Sequence, residues 1–327
     1  MELQDFKTLQ DLIDYAENYL SGRKRPRNKY SSKLRPFPEH FHEYNPDFER
    51  LSYCLEPLKK LNDLVGMEQL KKNIIDQVLF YSQRLETNEM MHICLTGPPG
   101  VGKTTLGKIL AELYCSMGKL ETKNFNVVTS ADLIAGFIGQ TALKTRKVLT
   151  GSLGGVLFLD EAYSIGTNDT DGFSKECADT INAFLSEHTS NFIMIIAGYQ
   201  EELDRCFFSL NKGLKRRFPW VYPIEKYTTD NLSEIFFYQI SISDWETDDT
   251  ITQSSIKKLF NEYPIFEYNG GDTQTLFDKT KIIHSRRVFG KKRKYKMVLS
   301  LEDIRQAAEL IKNSNKVPSK IPFGMYT

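Results

Sequence analysis

Residues 97–104 of the chain read GPPGVGKT. The apolar run HICLT (92–96) precedes them, and a helix-like run over 105–117 follows. A glycine-rich turn between a buried strand and a helix is a phosphate loop of the Walker A type, and it leaves few folds open. Gly97, Gly100 and Gly102 let the backbone approach phosphate oxygens with no side chain in the way. Pro98, Pro99 and Val101 complete the nucleotide-binding turn, and Thr105 follows it. The helix beyond aims its first amides and the positive end of its dipole at the same oxygens. Lys103 adds a point charge at the β- and γ-phosphates, and the Thr104 hydroxyl is placed to ligate Mg²⁺.

Strand and helix signals alternate around this loop. Strands are expected at 92–96, 125–129, 156–159, 192–197 and 221–224, with helices at 102–117, 141–150, 172–187 and 200–208. FIMIIAGY (192–199) is apolar throughout rather than alternating, as in a parallel sheet covered on both faces, and is far too short to span a bilayer. Beyond residue 227 helical patterns take over, at 229–241, 254–263, 272–288 and 300–314, with Ser300 and Asp303 as a capping box. This predicts a separate small α-domain. Residues 1–60 differ from the rest. An amphipathic stretch at 6–20 leads into a basic, proline-bearing run at 22–38, expected as an extended linker, and then one or two short helices over 45–61.

Residues 155–161, GVLFLDE, form a buried strand that ends in two adjacent carboxylates. Beside a phosphate loop, Asp160 can hold Mg²⁺ through its water shell, and Glu161 can polarise the attacking water. Phosphoryl transfer needs charge stabilisation more than covalent chemistry, so a further cation is expected. GLKRRFPW (213–220) supplies it just before the last strand. Arg217 is the expected arginine finger, reaching into a neighbouring subunit's site, with Arg216 as the alternative.

These motifs resemble those of the AAA+ ATPases, and look most like the group of CbbX-type rubisco activases and stage V sporulation K-type ATPases. The resemblance covers about residues 61–315, through LNDLVGMEQLKKNI (61–74), FIGQTALKTRKVL (137–149), GGVLFLDEAYSI (154–165) and IIAGYQEELDRCF (195–207). It implies an α/β phosphate-loop NTPase with a five-stranded parallel sheet flanked by helices over 61–226, a helical lid over 227–318 and a tail at 319–327. It also implies ATP and Mg²⁺ as cofactors, and a homo-oligomeric ring, usually of six subunits, with the active site between them. Val65, Gly66 and Met67 would line the adenine pocket. The sensor 1 place falls near Tyr199, where many relatives carry Asn; the tyrosine hydroxyl can still orient a water. At the sensor 2 place, in NGGDTQT (269–275), Gln274 stands where the family has Arg. Gln can hydrogen-bond a phosphate but brings no charge. Arg286 and Arg287 lie more than three helical turns further on.

In AGFIGQT (135–141), the resemblance places a pore loop at Phe137, Ile138 and Gly139. An aromatic on a short glycine-flanked loop can grip an extended polypeptide by apolar contact. The same two large side chains also fit core packing. The expected function is an ATP-driven motor that remodels a protein client or partly threads it through the ring pore. A nucleic-acid-directed ATPase is the alternative, with GRKRPR (22–27) and SRRVFGKKRKYKM (285–297), carrying Phe289 and Tyr295, as phosphate-contacting stretches. A nucleotide-gated scaffold that scarcely turns over is a third reading, kept open by Gln274.

Composition narrows the setting. With 43 Lys+Arg against 42 Asp+Glu, no global field favours nucleic acid or a membrane. The cysteines are odd in number, at five, with no CxxC, and the N-terminus lacks an apolar signal core. A reducing, cytoplasmic compartment is expected, with a nuclear one open. PEHFHEY (38–44) offers His40 and His42 beside Glu39 and Glu43 but no third ligand, and is read as a surface loop. IFFYQI (235–240) fits the core face of the α-domain.

Overall fold

The apolar runs of the central segment form five strands: β1 Ile93–Thr96, β2 Phe125–Val128, β3 Val156–Leu159, β4 Ile193–Gly198 and β5 Trp220–Pro223. They appear in a computed structural model that describes residues 6–24, 45–86, 89–137, 139–167, 172–263, 269–292 and 296–315. The strands are all parallel, in the order β2-β3-β4-β1-β5. β1, β3 and β4 are buried along their whole length, whereas the edge strands β2 and β5 carry exposed residues. A continuously apolar strand is stable only where helices cover both faces. Thr96 pairs with Gly198, and Leu159 with Ile196, so the carboxyl ends of β1, β3 and β4 lie side by side.

The chain divides into two compact units. The first, residues 1–97 and 103–224, holds the sheet and helices α1 Leu9–Lys24, α2 Pro46–Tyr53, α3 Leu55–Asn62, α4 Glu68–Ser82, α5 Lys103–Ser116, α6 Ser130–Leu133, α7 Thr141–Thr150, α8 Phe173–Glu187 and α9 Gln200–Glu202. α5 lies close on β3 because residue 107 is glycine; a Cβ there would stand 2.8 Å from Phe158 Cδ2. α1 buries Leu9, Leu12, Ile13, Ala16 and Tyr19, an i, i+3, i+4, i+7, i+10 stripe. The rings of Tyr15 and Tyr19 meet Phe48 of α2 edge-on.

The second unit, residues 98–102 and 225–327, holds α10 Thr229–Ser241, α11 Gln253–Glu262, α12 Gly270–Arg287 and α13 Leu301–Asn315. Its core centres on Phe236, whose ring meets Phe260 and Phe277 edge-on. From IFFYQI, Phe236 and Ile240 are buried and Tyr238 is exposed. The Ser300–Asp303 capping box forms: the Ser300 amide donates to Asp303 Oδ2 at 2.9 Å, and the Asp303 amide to Ser300 Oγ at 3.4 Å.

The sheet and most helices fall within two residues of the expected positions. α4 and the single turn α6 are not among the expected elements, and four further details differ. α1 runs to Lys24, three residues into the run expected as linker. The segment expected as one helix at 200–208 is instead one turn of α9 followed by a π-helix, Leu203–Phe208. The helical second unit contains a short parallel ribbon, β6 Glu246–Thr247 with β7 Val298–Leu299, too short to show any alternation. α12 begins two residues early, because Asn269 turns the chain at φ 57 and ψ −123. His40, His42, Glu39, Glu43, Tyr295 and the tail at 319–327 lie outside the described residues.

Candidate active site

After β1 the chain turns at Gly97, whose amide donates to the Gly198 carbonyl at 3.1 Å. Gly97, Gly100 and Gly102 have φ of 152, 75 and 84. A Cβ on Gly97 would stand 2.3 Å from the Ile224 carbonyl oxygen, so packing in the first unit also demands glycine there. Lys103 opens α5, and its Nζ donates to the Gly97 carbonyl at 2.9 Å. Burial lowers the Lys103 pKa, while the charges of Asp160 and Glu161 act in the opposite sense. Thr104 is half-buried on the same first turn and Thr105 is exposed.

The two carboxylates follow β3. The Asp160 amide donates to the Val128 carbonyl at 3.1 Å, and Asp160 Oδ1 accepts from the Glu161 amide at 3.1 Å. Glu161 is exposed, at φ 47 and ψ 50, and caps the 3₁₀ turn Ala162–Ile165. Tyr199 follows β4, with its ring centre 6.0 Å from Lys103 Nζ. The carboxyl ends of β1, β3 and β4 thus gather Lys103, Asp160, Glu161 and Tyr199.

Tyr163 joins this group, although no motif pointed to it. Its ring centre lies 6.1 Å from that of Tyr199. Burial first, and then the charge of Glu161 and a hydrogen bond to it, raise the Tyr163 pKa to about 12. The only signal in the sequence is its place two residues after Glu161, which acquires meaning once that stretch is known to be a 3₁₀ turn.

Val65, Gly66 and Met67 are half-buried in a sharp turn before α4, with φ 73 at Gly66 and 59 at Met67. Lys71 fixes that turn: its Nζ donates to the carbonyls of Asn62 at 3.2 Å and Leu64 at 2.6 Å. In the second unit, Gln274 is exposed on α12 and donates to Asp278 Oδ1 at 3.2 Å.

Arg217 is not with this group. It ends the 3₁₀ turn Leu214–Arg217 before β5, where Trp220 pairs with Ile93. Its Nε donates to Asn182 Oδ1 at 3.4 Å, and Nη1 lies 3.9 Å from Met90 Sδ. It therefore stands at the amino end of β1, about 13 Å of strand away from the loop at its carboxyl end. Arg216, beside it, is exposed.

Phe137 is 72% exposed, so the core-packing alternative does not apply to it. Gly136 and Gly139 on either side have open space around them, and Gly139 has φ 76. The root of the loop is held by Lys144, whose Nζ donates to the carbonyls of Ala131 at 2.6 Å and Ile134 at 2.8 Å. Ile138 lies outside the described residues. Among the described residues, no helix is long and apolar enough to cross a membrane, and no cluster of three or more His, Cys, Asp or Glu could hold a metal.

A family model described as "ATPase family associated with various cellular activities (AAA)" matches residues 93–221. A putative cfxQ-like protein of Acanthamoeba polyphaga mimivirus is 39% identical over 289 residues, covering 86% of this chain and 70% of the relative. The stage V sporulation protein K of Bacillus subtilis is 38% identical, covering 54% of this chain and 57% of its own length. The ESX-3 secretion system protein EccA3 of Mycobacterium tuberculosis is 36% identical, but only 29% of its length is matched. Among solved structures, the FIGL-1 AAA domain in complex with ADP superposes with a TM-score of 0.56 at 18% identity, covering 76% of this chain and 83% of that one. A Thermotoga maritima RuvB variant gives 0.53 at 20% identity, covering 75% and 70%. These structures share the fold, a phosphate-loop sheet with helices beyond it. The chain belongs to the AAA+ ATPases of the stage V sporulation K and CbbX type, enzymes that bind and hydrolyse ATP.

Proposed function

We propose that this ATPase is a protein-remodelling motor that works as a homo-oligomeric ring. The observation that carries the reading is Phe137: a large aromatic side chain held out in solvent, between two unobstructed glycines, on a loop whose root is fixed. Exposing an aromatic costs apolar burial, and a surface that grips extended chain by apolar contact is a reason to retain it. Residues 61–226 are assigned to nucleotide binding and hydrolysis, and 227–318 to the lid.

Within the site, Glu161 polarises the attacking water while Tyr199 orients it, and Lys103 and the loop amides neutralise the phosphates. Thr104 and Asp160, a hydroxyl and a carboxylate, are hard oxygen donors of the kind Mg²⁺ takes alongside waters and phosphates. Val65, Gly66 and Met67 are assigned to the adenine, and Gln274 to a phosphate contact without charge. The position of Arg217 supports its acting on a neighbour, since it stands at the far end of β1 from its own loop.

The test is Phe137→Ala, assayed for ATP hydrolysis and for unfolding of a tagged client protein. Near-normal hydrolysis with lost remodelling is expected. Remodelling at the wild-type rate would remove the pore-loop assignment. One observation favours a second reading: Phe289 is almost fully exposed next to exposed Arg286, Lys291 and Lys292. DNA binding that falls steeply with salt, together with DNA-stimulated hydrolysis, would favour a nucleic-acid partner.

A further inference from the structure

Three successive carbonyls of the phosphate loop are taken by donors from distant sequence, and both sides belong to the second unit. The Pro99 carbonyl accepts from Asn269 Nδ2 at 3.2 Å. The Gly100 carbonyl accepts from the Gly270 amide at 3.0 Å. The Val101 carbonyl accepts from the Tyr227 hydroxyl at 2.9 Å. Asn269 also accepts, at Oδ1, from the Tyr227 amide at 3.1 Å, which ties the donors together.

The grip is built rather than incidental. Asn269 is 3% exposed and adopts φ 57 with ψ −123, a conformation costly for any residue with a side chain. Gly270 has no room to spare: a Cβ on it would stand 3.0 Å from the Gly100 oxygen. Behind it, Gln239 Nε2 and Thr273 Oγ1 both donate to the Gly270 carbonyl, at 3.3 and 2.9 Å. Burial raises the Tyr227 pKa to about 12, so its hydroxyl stays a donor at any physiological pH.

A trans peptide points its C=O and the next N–H in opposite directions. Fixing the carbonyls of 99, 100 and 101 on one side therefore turns the amides of 100, 101 and 102 to the other, where an anion can collect them. We infer that Asn269, Gly270 and Tyr227 are positioning residues that set the phosphate-binding face of the loop. The turn at the start of α12 then senses loop occupancy directly, which the uncharged Gln274 cannot do by charge. This assignment deepens the ATPase reading and rests on it.

The test titrates the full chain with a fluorescent ADP analogue, with adenosine and with ATP. Asn269→Gly keeps the unusual backbone, which glycine accepts, and removes the side-chain bonds. Tyr227→Phe keeps the packed ring and removes only the hydroxyl. Each is expected to weaken ADP binding about fivefold, the worth of one hydrogen bond, with adenosine binding unmoved and KM for ATP rising more than kcat falls. The nucleotide-free unfolding temperature should fall by only a few degrees, since each variant loses one or two hydrogen bonds and keeps the packed fold. ADP affinity unchanged in both variants overturns the inference, as does equal weakening of adenosine and ADP. Should Asn269→Gly not fold, Tyr227→Phe decides alone. If instead Lys103→Ala binds ADP as tightly as wild type, the assignment of the loop itself fails, and the two failures are distinguishable.

Discussion

Glu161 sits in the left-handed region at φ 47, where a non-glycine residue costs about 1–3 kcal/mol. The surrounding turn holds it there, with Tyr163 near enough for the Glu161 charge to act on its hydroxyl. Tyr163→Phe is expected to lower kcat several-fold with nucleotide affinity unchanged, as measured by steady-state kinetics beside equilibrium binding. His92 gives a second residue-scale prediction. It is fully buried; its Nδ1 accepts from the Met194 amide at 3.1 Å, and its Nε2 has no partner among the described residues. Burial, and then the charge of Arg217, lower its pKa to about 4. The unfolded chain takes up a proton near pH 6.5 that the folded one refuses until about 4, so stability drains away as pH falls through that window. Between pH 7 and 4, wild type should lose up to about 3 kcal/mol more than His92→Asn, read by urea unfolding. Asp160, Glu161 and Lys103 were legible as candidates because motif spacing places them in adjacent loops. Tyr163 and His92 were not, because their roles depend on which side chains the sheet brings against them.

At the scale of elements, the 3₁₀ turn after Glu161 and the π-helix after Tyr199 interlock. A Cβ on Gly166 would stand 1.8 Å from the Cys206 carbonyl oxygen, and one on Gly198 would stand 2.9 Å from Tyr163 Cδ1. Because the obstacle at Gly166 is backbone, Gly166→Ala should cost about 2–3 kcal/mol and depress turnover, whereas Gly136→Ala, in open space, should cost little; thermal unfolding beside ATPase assays checks both. In the second unit, Asp303 joins α12 to α13. Burial pushes its pKa up, but hydrogen bonds from Arg287, His284 and Ser300 outweigh that and hold it well below the usual carboxylate range. Asp303→Asn should destabilise by about 3 kcal/mol at pH 7. That deficit should shrink below pH 4, where wild type loses the ionised carboxylate's contribution and the variant has none to lose, as a pH series of unfolding curves would show. Helix positions were readable from periodicity and caps. The π-helix and the β6–β7 ribbon were not, since neither has a local signature.

For the whole molecule, the decisive geometry is the distance along β1 between Arg217 and the phosphate loop. A ring that shares its sites makes a specific prediction. Arg217→Ala and Glu161→Gln proteins, each inactive alone, should regain part of the wild-type turnover when mixed, because some interfaces then combine an intact Glu161 with an intact Arg217. No recovery over a range of ratios would argue that the arginine does not act between subunits; repeating the mixture with Arg216→Ala compares the two candidates. The sequence by itself determined the α/β class, the strands and the phosphate-binding chemistry, because glycine-rich loops, apolar runs and helix caps act over a few residues. Only the tertiary structure decided that Phe137 faces solvent, that Tyr163 meets Glu161, and that Asn269, Gly270 and Tyr227 hold the loop carbonyls of residues 99–101. The loop-carbonyl contacts join positions 126 to 170 residues apart, a separation that no local rule of backbone or side chain spans; the other two depend on how the rest of the first unit packs around each segment.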